Sequence, residues 1–452
     1  MDPIILSKLK DSWLKKQHEL SKKRRPRRYL HFDQPIPLLK RNELDKITSV
    51  GFITRHSFFP LIKVPKSSRL YKKDPISKIK TIEWKERPIG YASHFDSKIY
   101  SWYTHQLEYN YEQRLITAGL GDSVIAYRKL NKSNVDFALE IFEFIKVKGE
   151  CSVLALDIKG FYDNLEHNLL KKAWKNNLGV TDLPPDHYAI YKSITKYAYV
   201  RLREIFKILK IGIRDFRKSS LFFKTDTLDF LREKKKIKTN DTQKNKFGNN
   251  IGIPQGTPIS CALSNLYMFD FDRAISSKIL ALNGLYRRYS DDIIIVCPRE
   301  NIKEIEGFAQ TKINEVHLEI QKAKTEIRHF SSKDGLKCVN EENRISKLQY
   351  LGVEFSGEKV MLRHKSFARF ERRMKNAIVS KIIKSKKYKT SLFKRKIYET
   401  YSPMGKENYF DYIRSATSKL KKSSFKIITK QTDFNKIMTK INNKIRKETG
   451  EF

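Results

Sequence analysis

The stretch Tyr286-Arg287-Arg288-Tyr289-Ser290-Asp291-Asp292-Ile293-Ile294-Ile295-Val296 places two adjacent carboxylates at the start of a four-residue apolar run. A tyrosine-rich, extended segment comes just before them. The pattern predicts strand, tight turn, strand, with Asp291 and Asp292 at the turn. Like charges so close repel, and a neighbouring core raises their pKa values further. A divalent cation relieves both costs. A chain built this way needs a further carboxylate nearby and a reason to keep the site.

A second stretch supplies that carboxylate. Val153-Leu154-Ala155-Leu156-Asp157-Ile158-Lys159-Gly160 reads as a buried strand ending on Asp157, followed by a glycine turn and a helix starting near Asn164. A carboxylate closing a buried strand is costly without a cation or a hydrogen-bond partner. Adjacent antiparallel strands would bring Asp157 to Asp291 and Asp292. Asp163 reads as a residue of a helix N-terminus instead. Oxygen ligands without His or Cys point to Mg²⁺, with Mn²⁺ as a substitute. Two such ions about 3.5–4 Å apart suit in-line phosphoryl displacement. No Gly-rich Walker loop is present, which excludes that kind of ATPase.

Charge supplies the reason. The 452 residues carry 92 basic against 50 acidic side chains, a net charge of +42, which points to a polyanion and above all to nucleic acid. At 40% hydrophobic residues the chain is folded, with room for two or three subdomains. Cys151, Cys261, Cys297 and Cys338 lack metal-ligand spacing and read as buried or incidental thiols. No apolar run approaches about 20 residues, and the N-terminal apolar stretch is too short for a secretory signal. The expectation is a cytoplasmic protein without a membrane partner.

In chain order, Lys22-Lys23-Arg24-Arg25-Pro26-Arg27-Arg28 reads either as a phosphate-contacting arm or as a solvated tail. Residues 31–95 suit strands and loops, with Arg87 on an extended segment. Ile99, Trp102, Tyr103, Leu107 and Tyr111 predict a helix from Asp96 to about Leu115, and a second helix runs from Val135 to Val147. Residues 170–230 read as mostly helical, and 232–250 as a mobile basic loop. Pro254-Gln255-Gly256-Thr257-Pro258 opens a helix from Cys261 to Ala274, and Ile302 to Leu318 is helical. Leu348 to Phe355 reads as a strand pair around Gly352. From Lys365 the chain turns helical and basic, which sets a domain boundary close to 360. That module reads either as a grip on a duplex or as a solvated cap.

Together these motifs resemble those of reverse transcriptases. Leu156 to Asn164 is similar to the family's first palm motif. Pro254 to Ser260, with Asn265 beyond, is similar to the second, and Tyr289-Ser290-Asp291-Asp292 to the third. Lys324 lies where the next motif has its lysine, and Tyr350-Leu351-Gly352 resembles the primer-grip segment. The resemblance spans roughly 85–355. It implies an α+β, right-hand polymerase fold: fingers, a palm with an antiparallel sheet and the YxDD hairpin, then a basic helical thumb. The division expected is 1–84 for a basic N-terminal extension and the start of the fingers, 85–360 for fingers and palm, and 361–452 for the thumb.

The implied activity is RNA-directed DNA polymerisation. Asp157, Asp291 and Asp292 would be catalytic, and with Ile158 they would form the metal site. Tyr162, five residues after Asp157, would exclude the ribose 2′-hydroxyl. Gln255 and Gly256 would line the template and nascent pair, Lys324 would assist pyrophosphate departure, and Arg87 would contact the triphosphate. Tyr289, Tyr350, Leu351 and Gly352 would face primer and template, with Ser290 a tolerant position. The chain is short for an attached ribonuclease H or integrase, and the strings usual in retron enzymes do not occur. It most resembles the stand-alone bacterial reverse transcriptases of antiphage defence, the former unknown groups. The implied partners are a structured noncoding RNA template, a DNA product and dNTPs, with a homo-oligomer or an accessory effector protein as further partners. A retron- or intron-type mobile-element enzyme is the alternative, and a non-catalytic RNA-binding protein on a polymerase fold is the other.

Overall fold

The computed structural model describes residues 2–23, 29–36, 38–73, 80–210, 212, 223, 225–240, 243–333, 335–406, 408–427 and 434–449. Most of the basic run at 22–28 lies outside them. In chain order the strands are β1 (Leu61–Lys73), β2 (Lys80–Tyr91), β3 (Cys151–Asp157), β4 (Ala198–Arg201), β5 (Lys238–Thr239), β6 (Leu285–Tyr289) and β7 (Asp292–Cys297). Then follow β8 (Glu326–Ser331), β9 (Lys337–Val339), β10 (Leu348–Tyr350), β11 (Val353–Phe355), β12 (Lys359–Leu362) and β13 (Lys426–Ile427).

The central sheet has the order β6-β7-β3-β8-β9. Its inner strands alternate between two cores. Leu154, Leu156, Ile293 and Ile295 face one cluster, with Ile99, Tyr103, Leu107, Leu263 and Phe271. Val153, Ile294 and Val296 face the other, with Ile141, Phe142, Phe330, Phe355 and Leu420. With both faces covered, the strand must be apolar at every position, which accounts for the unbroken Ile293–Val296 run.

The helices under this sheet begin and end where local chemistry dictates. The helix His94–Thr117 starts two residues before the expected Asp96. Ser93 Oγ accepts from the Asp96 amide, and the Asp33 carboxylate accepts from the His94 and Phe95 amides. The helix Asn134–Lys148 opens on a capping box of Ser133 and Asp136 and stops at Gly149, whose φ is +69°. The helix Pro3–Lys23 packs Trp13 against Trp102 at 5.5 Å.

Two expectations need correction, and one, the mostly helical 170–230, needs an addition. The helix expected from Cys261 to Ala274 is two helices, Ser260–Tyr267 and Phe269–Leu280, separated by Met268. Residues 170–230 include a strand, β4, which pairs in parallel with β1. The stretch 243–250 is not a mobile loop. Asn245 Oδ1 accepts from the Phe247 and Asn249 amides while Asn245 Nδ2 donates to Glu166, so one side chain organises the turn and ties it down.

After Leu362 the chain enters the helices His364–Tyr388, Lys394–Tyr401, Tyr409–Lys421 and Phe434–Thr449. Phe370, Met374, Ile378, Ile397, Phe410 and Ile441 form their own small core. The boundary expected near 360 falls where these helices begin, but the module is joined at two places. Ile413, Ala416 and Leu420 pack into the core beneath the central sheet, and β13 returns to pair in parallel with β12.

Candidate active site

Strand register sets the geometry. β3 and β7 are antiparallel, and the last pair in their register is Asp157 opposite Asp292. Tyr289 also faces Asp292, across the β6–β7 ladder. Ser290 and Asp291 are therefore the whole turn, and Asp292 belongs to the strand, not to the turn as expected. The Asp291 carbonyl accepts from the Ile158 amide at 3.1 Å, which ties the turn to the end of β3. Ile158 itself points into the core.

The three acids thus meet at one sheet end. Burial pushes the Asp292 carboxyl up to about 6, with the neighbouring Asp291 and Asp157 adding to the effect and Lys324 and Arg363 opposing it. Among the described residues no three His, Cys, Asp or Glu side chains are gathered at ligating spacing. The Lys324 ammonium instead donates to Asp157 Oδ1 at 2.5 Å. The Gln321 amide brings Lys324 there by donating to the Asp157 carbonyl at 2.7 Å. The donor set still fits a hard divalent cation. It is all carboxylate, it lacks imidazole and thiolate, and its mutual repulsion is the kind that a cation relieves.

Tyr162 stands on a short 3-10 turn, Phe161–Asp163. Its hydroxyl donates toward Tyr127 Oη at 3.1 Å, with Cys261 Sγ 3.7 Å away. Gln255 and Gly256 meet the β1–β2 hairpin. The Gln255 carbonyl accepts from the Gly90 amide at 2.8 Å. Gly256 has φ +123°, and a Cβ there would lie 2.7 Å from the Gly90 carbonyl oxygen. The missing Cβ of this glycine therefore lets strand β2 of the chain itself approach closely. Arg87, three residues before Gly90 on the same strand, is exposed and faces Lys66 across the ladder.

The reverse transcriptase (RNA-dependent DNA polymerase) family profile matches residues 72–355. The chain belongs to the reverse transcriptase family. No curated protein matches it. Among solved structures, the C-terminally truncated apo telomerase of Candida tropicalis is 13% identical, with 66% of this chain and 55% of that one covered and a TM-score of 0.34. Telomerase from Candida tropicalis in complex with a TWJ fragment of telomeric RNA is 15% identical, with 86% and 60% covered and a TM-score of 0.37. The corresponding Candida albicans complex is 13% identical, with 88% and 63% covered and a TM-score of 0.35. This chain spans less than two thirds of each telomerase chain. Likenesses this distant say nothing of what it binds.

The remaining motif of this reverse transcriptase lies on the β10–β11 hairpin. Tyr350 pairs with Val353, and Leu351 and Gly352 form the turn with φ +44° and +90°. The strand pair around Gly352 is as expected. Tyr350 is buried, and its hydroxyl has no partner among the described residues. Burial raises its pKa, and the Asp292 charge adds to this. Tyr289 is half-buried, its ring 6.4 Å from that of Tyr127.

Several residues that matter here carry no signal in a local reading of the sequence. Arg288 is fully buried and donates to Asp272 from Nε at 2.7 Å and Nη2 at 2.6 Å. Its Nη1 reaches the Asn265 side chain and the Ser290 carbonyl. Burial alone would depress the guanidinium, but Asp272 outweighs it and holds the group above its ordinary value. Ser290 is not a tolerant position. It is buried, has φ +61°, and accepts from Tyr127 at its Oγ. Lys63, on β1 opposite Gly90, packs over the Tyr199 ring, and burial pushes its ammonium down to about 8 against the pull of Asp163. Strand alternation was the one available clue. With Tyr286 inward, Arg288 must also point inward.

Proposed function

We propose that this chain copies RNA into DNA, adding dNTPs to a primer 3′-hydroxyl at Asp157, Asp291 and Asp292. In this reading β1 and β2 belong to the fingers, the central sheet is the palm, and the helices after Leu362 are the thumb. The observation that carries it is the pairing of Asp157 with Asp292 at the end of the β3–β7 ladder, one residue from Asp291. When bound there, two Mg²⁺ or Mn²⁺ ions would activate the primer hydroxyl and neutralise the triphosphate.

The chain's own groups do the rest. Asp157, Asp291 and Asp292, with the Ile158 backbone, would hold the ions. Lys324, whose ammonium donates to Asp157, would meet the departing pyrophosphate as a point charge. Arg87 would clamp the triphosphate from the fingers, and Gln255 would fix the edge of the nascent pair. The Tyr162 ring would clash with a ribose 2′-hydroxyl. Tyr289 and the turn Tyr350-Leu351-Gly352 would flank the primer end.

The finer reading is a template that is a structured noncoding RNA, copied in the cytoplasm in antiphage defence. The net charge of +42 supports a large RNA partner. The motif resemblance described above supports the defence role. A homo-oligomer or an accessory effector protein would complete the system.

Primer extension on an RNA template with dNTPs tests the central reading. Synthesis that survives in both Asp157→Asn and Asp291→Asn would overturn it, and RNA binding without synthesis in the unaltered protein would favour a binding module. Sequencing of copurifying RNA and cDNA identifies the template. Plaque counts with and without the Asp157→Asn change test the defence role.

A further inference from the structure

Tyr127 is a bulky residue in the left-handed region, with φ +63°. Such a residue persists only where its surroundings over-determine it. They do so here. The Ile125 amide donates to the Arg288 carbonyl at 3.0 Å, and the Ala126 carbonyl accepts from Asn265 Nδ2 at 3.0 Å. Next in sequence, Arg128 makes two bonds to the Glu112 carboxylate and one to the Val124 carbonyl. The backbone on both sides of Tyr127 is locked to the core.

The side chain then bridges two motifs that are far apart in sequence. Tyr162 Oη donates to Tyr127 Oη at 3.1 Å, and Tyr127 Oη donates to Ser290 Oγ at 3.2 Å. Tyr162 donates, Tyr127 accepts one bond and donates the next, and Ser290 accepts, so each proton is used once and the relay is chemically consistent. Without it the tip of the Tyr162 ring would be left, among the described residues, with packing, a weak contact to Cys261 and an interaction with Ser264. A steric gate works only if the ring stays where the 2′-hydroxyl would be.

We propose that Tyr127 is the positioning residue for Tyr162, and that the Tyr162–Tyr127–Ser290 relay ties sugar selection to the turn carrying Asp291. The proposal rests on the reading of Tyr162 as the ribose gate. Tyr127 touches neither reacting atom; it acts through Tyr162.

Single-nucleotide insertion of matched dNTP and rNTP by the full chain tests it. Tyr127→Phe keeps the ring and removes the hydroxyl. Loss of one neutral hydrogen bond should lower the dNTP/rNTP discrimination ratio by about three- to tenfold. The change should come mainly from better rNTP use, with kcat/KM for dNTP falling at most about threefold. Tyr127→Phe in a Tyr162→Phe background should add nothing, since the bond is already gone. An unchanged ratio, or an equal loss for both sugars, would overturn the proposal by leaving Tyr127 a merely structural residue. If Tyr127→Phe does not fold, Ser290→Ala reads the same relay from its other end, with the same two outcomes. Tyr162→Ala separates the underlying reading. If it does not raise rNTP use, the gate assignment falls, and the proposal with it. If it does while Tyr127→Phe and Ser290→Ala do not, only the relay falls.

Discussion

Two hairpins carry motif residues, and they differ in that one adds a buried charge network to its apolar packing. The β6–β7 hairpin turns at Ser290-Asp291, and the β10–β11 hairpin turns at Leu351-Gly352. Both use two-residue turns whose first residue is not glycine and has positive φ. Beneath the first lies a buried charge network, Arg288 with Asp272, joined by Tyr286 and Asn265. Beneath the second lies apolar packing, with Val353 and Phe355 in a core shared with Phe142. Apolar packing is non-directional, whereas a bidentate ion pair also fixes the angle at which its partners meet. The chain places the directional device under the turn that must hold carboxylates in place, and the non-directional one under the turn that does not.

The comparison can be broken at several points. The largest effect is expected on chemistry. Asp291→Asn should cut primer extension by about a thousandfold or more, a loss of several kcal/mol in transition-state stabilisation. Leu351→Asn at the matching turn position should cost less than about tenfold in the same assay. Equal losses would remove the distinction between the two turns. Next is the charge network. Arg288→Met leaves Asp272 buried and unpaired, which should destabilise the protein by about 3–5 kcal/mol in urea denaturation. Adding Asp272→Leu should recover most of that. A double variant as unstable as the single one would mean that the network's worth is not in its charge pairing.

The smaller effects concern the second hairpin. Gly352→Ala should cost about 1 kcal/mol, since a Cβ meets only the Tyr412 hydroxyl at 3.7 Å and the penalty is conformational. The smallest is Tyr350→Phe. Its hydroxyl is buried without a described partner, so removing it should leave stability unchanged or raise it by up to about 1 kcal/mol. A loss above that would mean that the hydroxyl has a partner, such as an ordered water.

The sequence was legible where one residue's role follows from its neighbours in the chain. Ile99, Trp102, Tyr103 and Leu107 announce a helix because a helix repeats every 3.6 residues, and all four are buried. Asp157 announces itself because an acid ending an apolar strand needs a partner. Tyr162, Gln255 and Lys324 were found through resemblance; the structure ties Lys324 to Asp157, Tyr162 through Tyr127 to Ser290, and Gln255 to Gly90 of strand β2. Other features were hidden because their causes are non-local. Arg288 has only strand alternation to mark it until Asp272, on another element, is brought to it. Gly256 is read through the resemblance as lining the nascent pair, and only the fold shows that its missing Cβ also lets Gly90 of strand β2 approach. Asn245 reads as part of a solvated loop, although its Nδ2 holds Glu166 across 79 positions of chain. Tyr127 has no local pattern at all, and only the fold places it between Tyr162 and Ser290.

The short strand β13 changes what the C-terminal helices are able to do. Because Lys426 and Ile427 pair with Lys359 and Val360, the excursion that leaves the sheet after Leu362 is pinned back beside its own starting point. A segment hinged at one end swings like a door. One pinned at two neighbouring points rocks about the line that joins them, with a short lever near the sheet and a long one at the far helices. The far helices would then tilt more than they translate, and the helix Tyr409–Lys421, next to the pins, would move least.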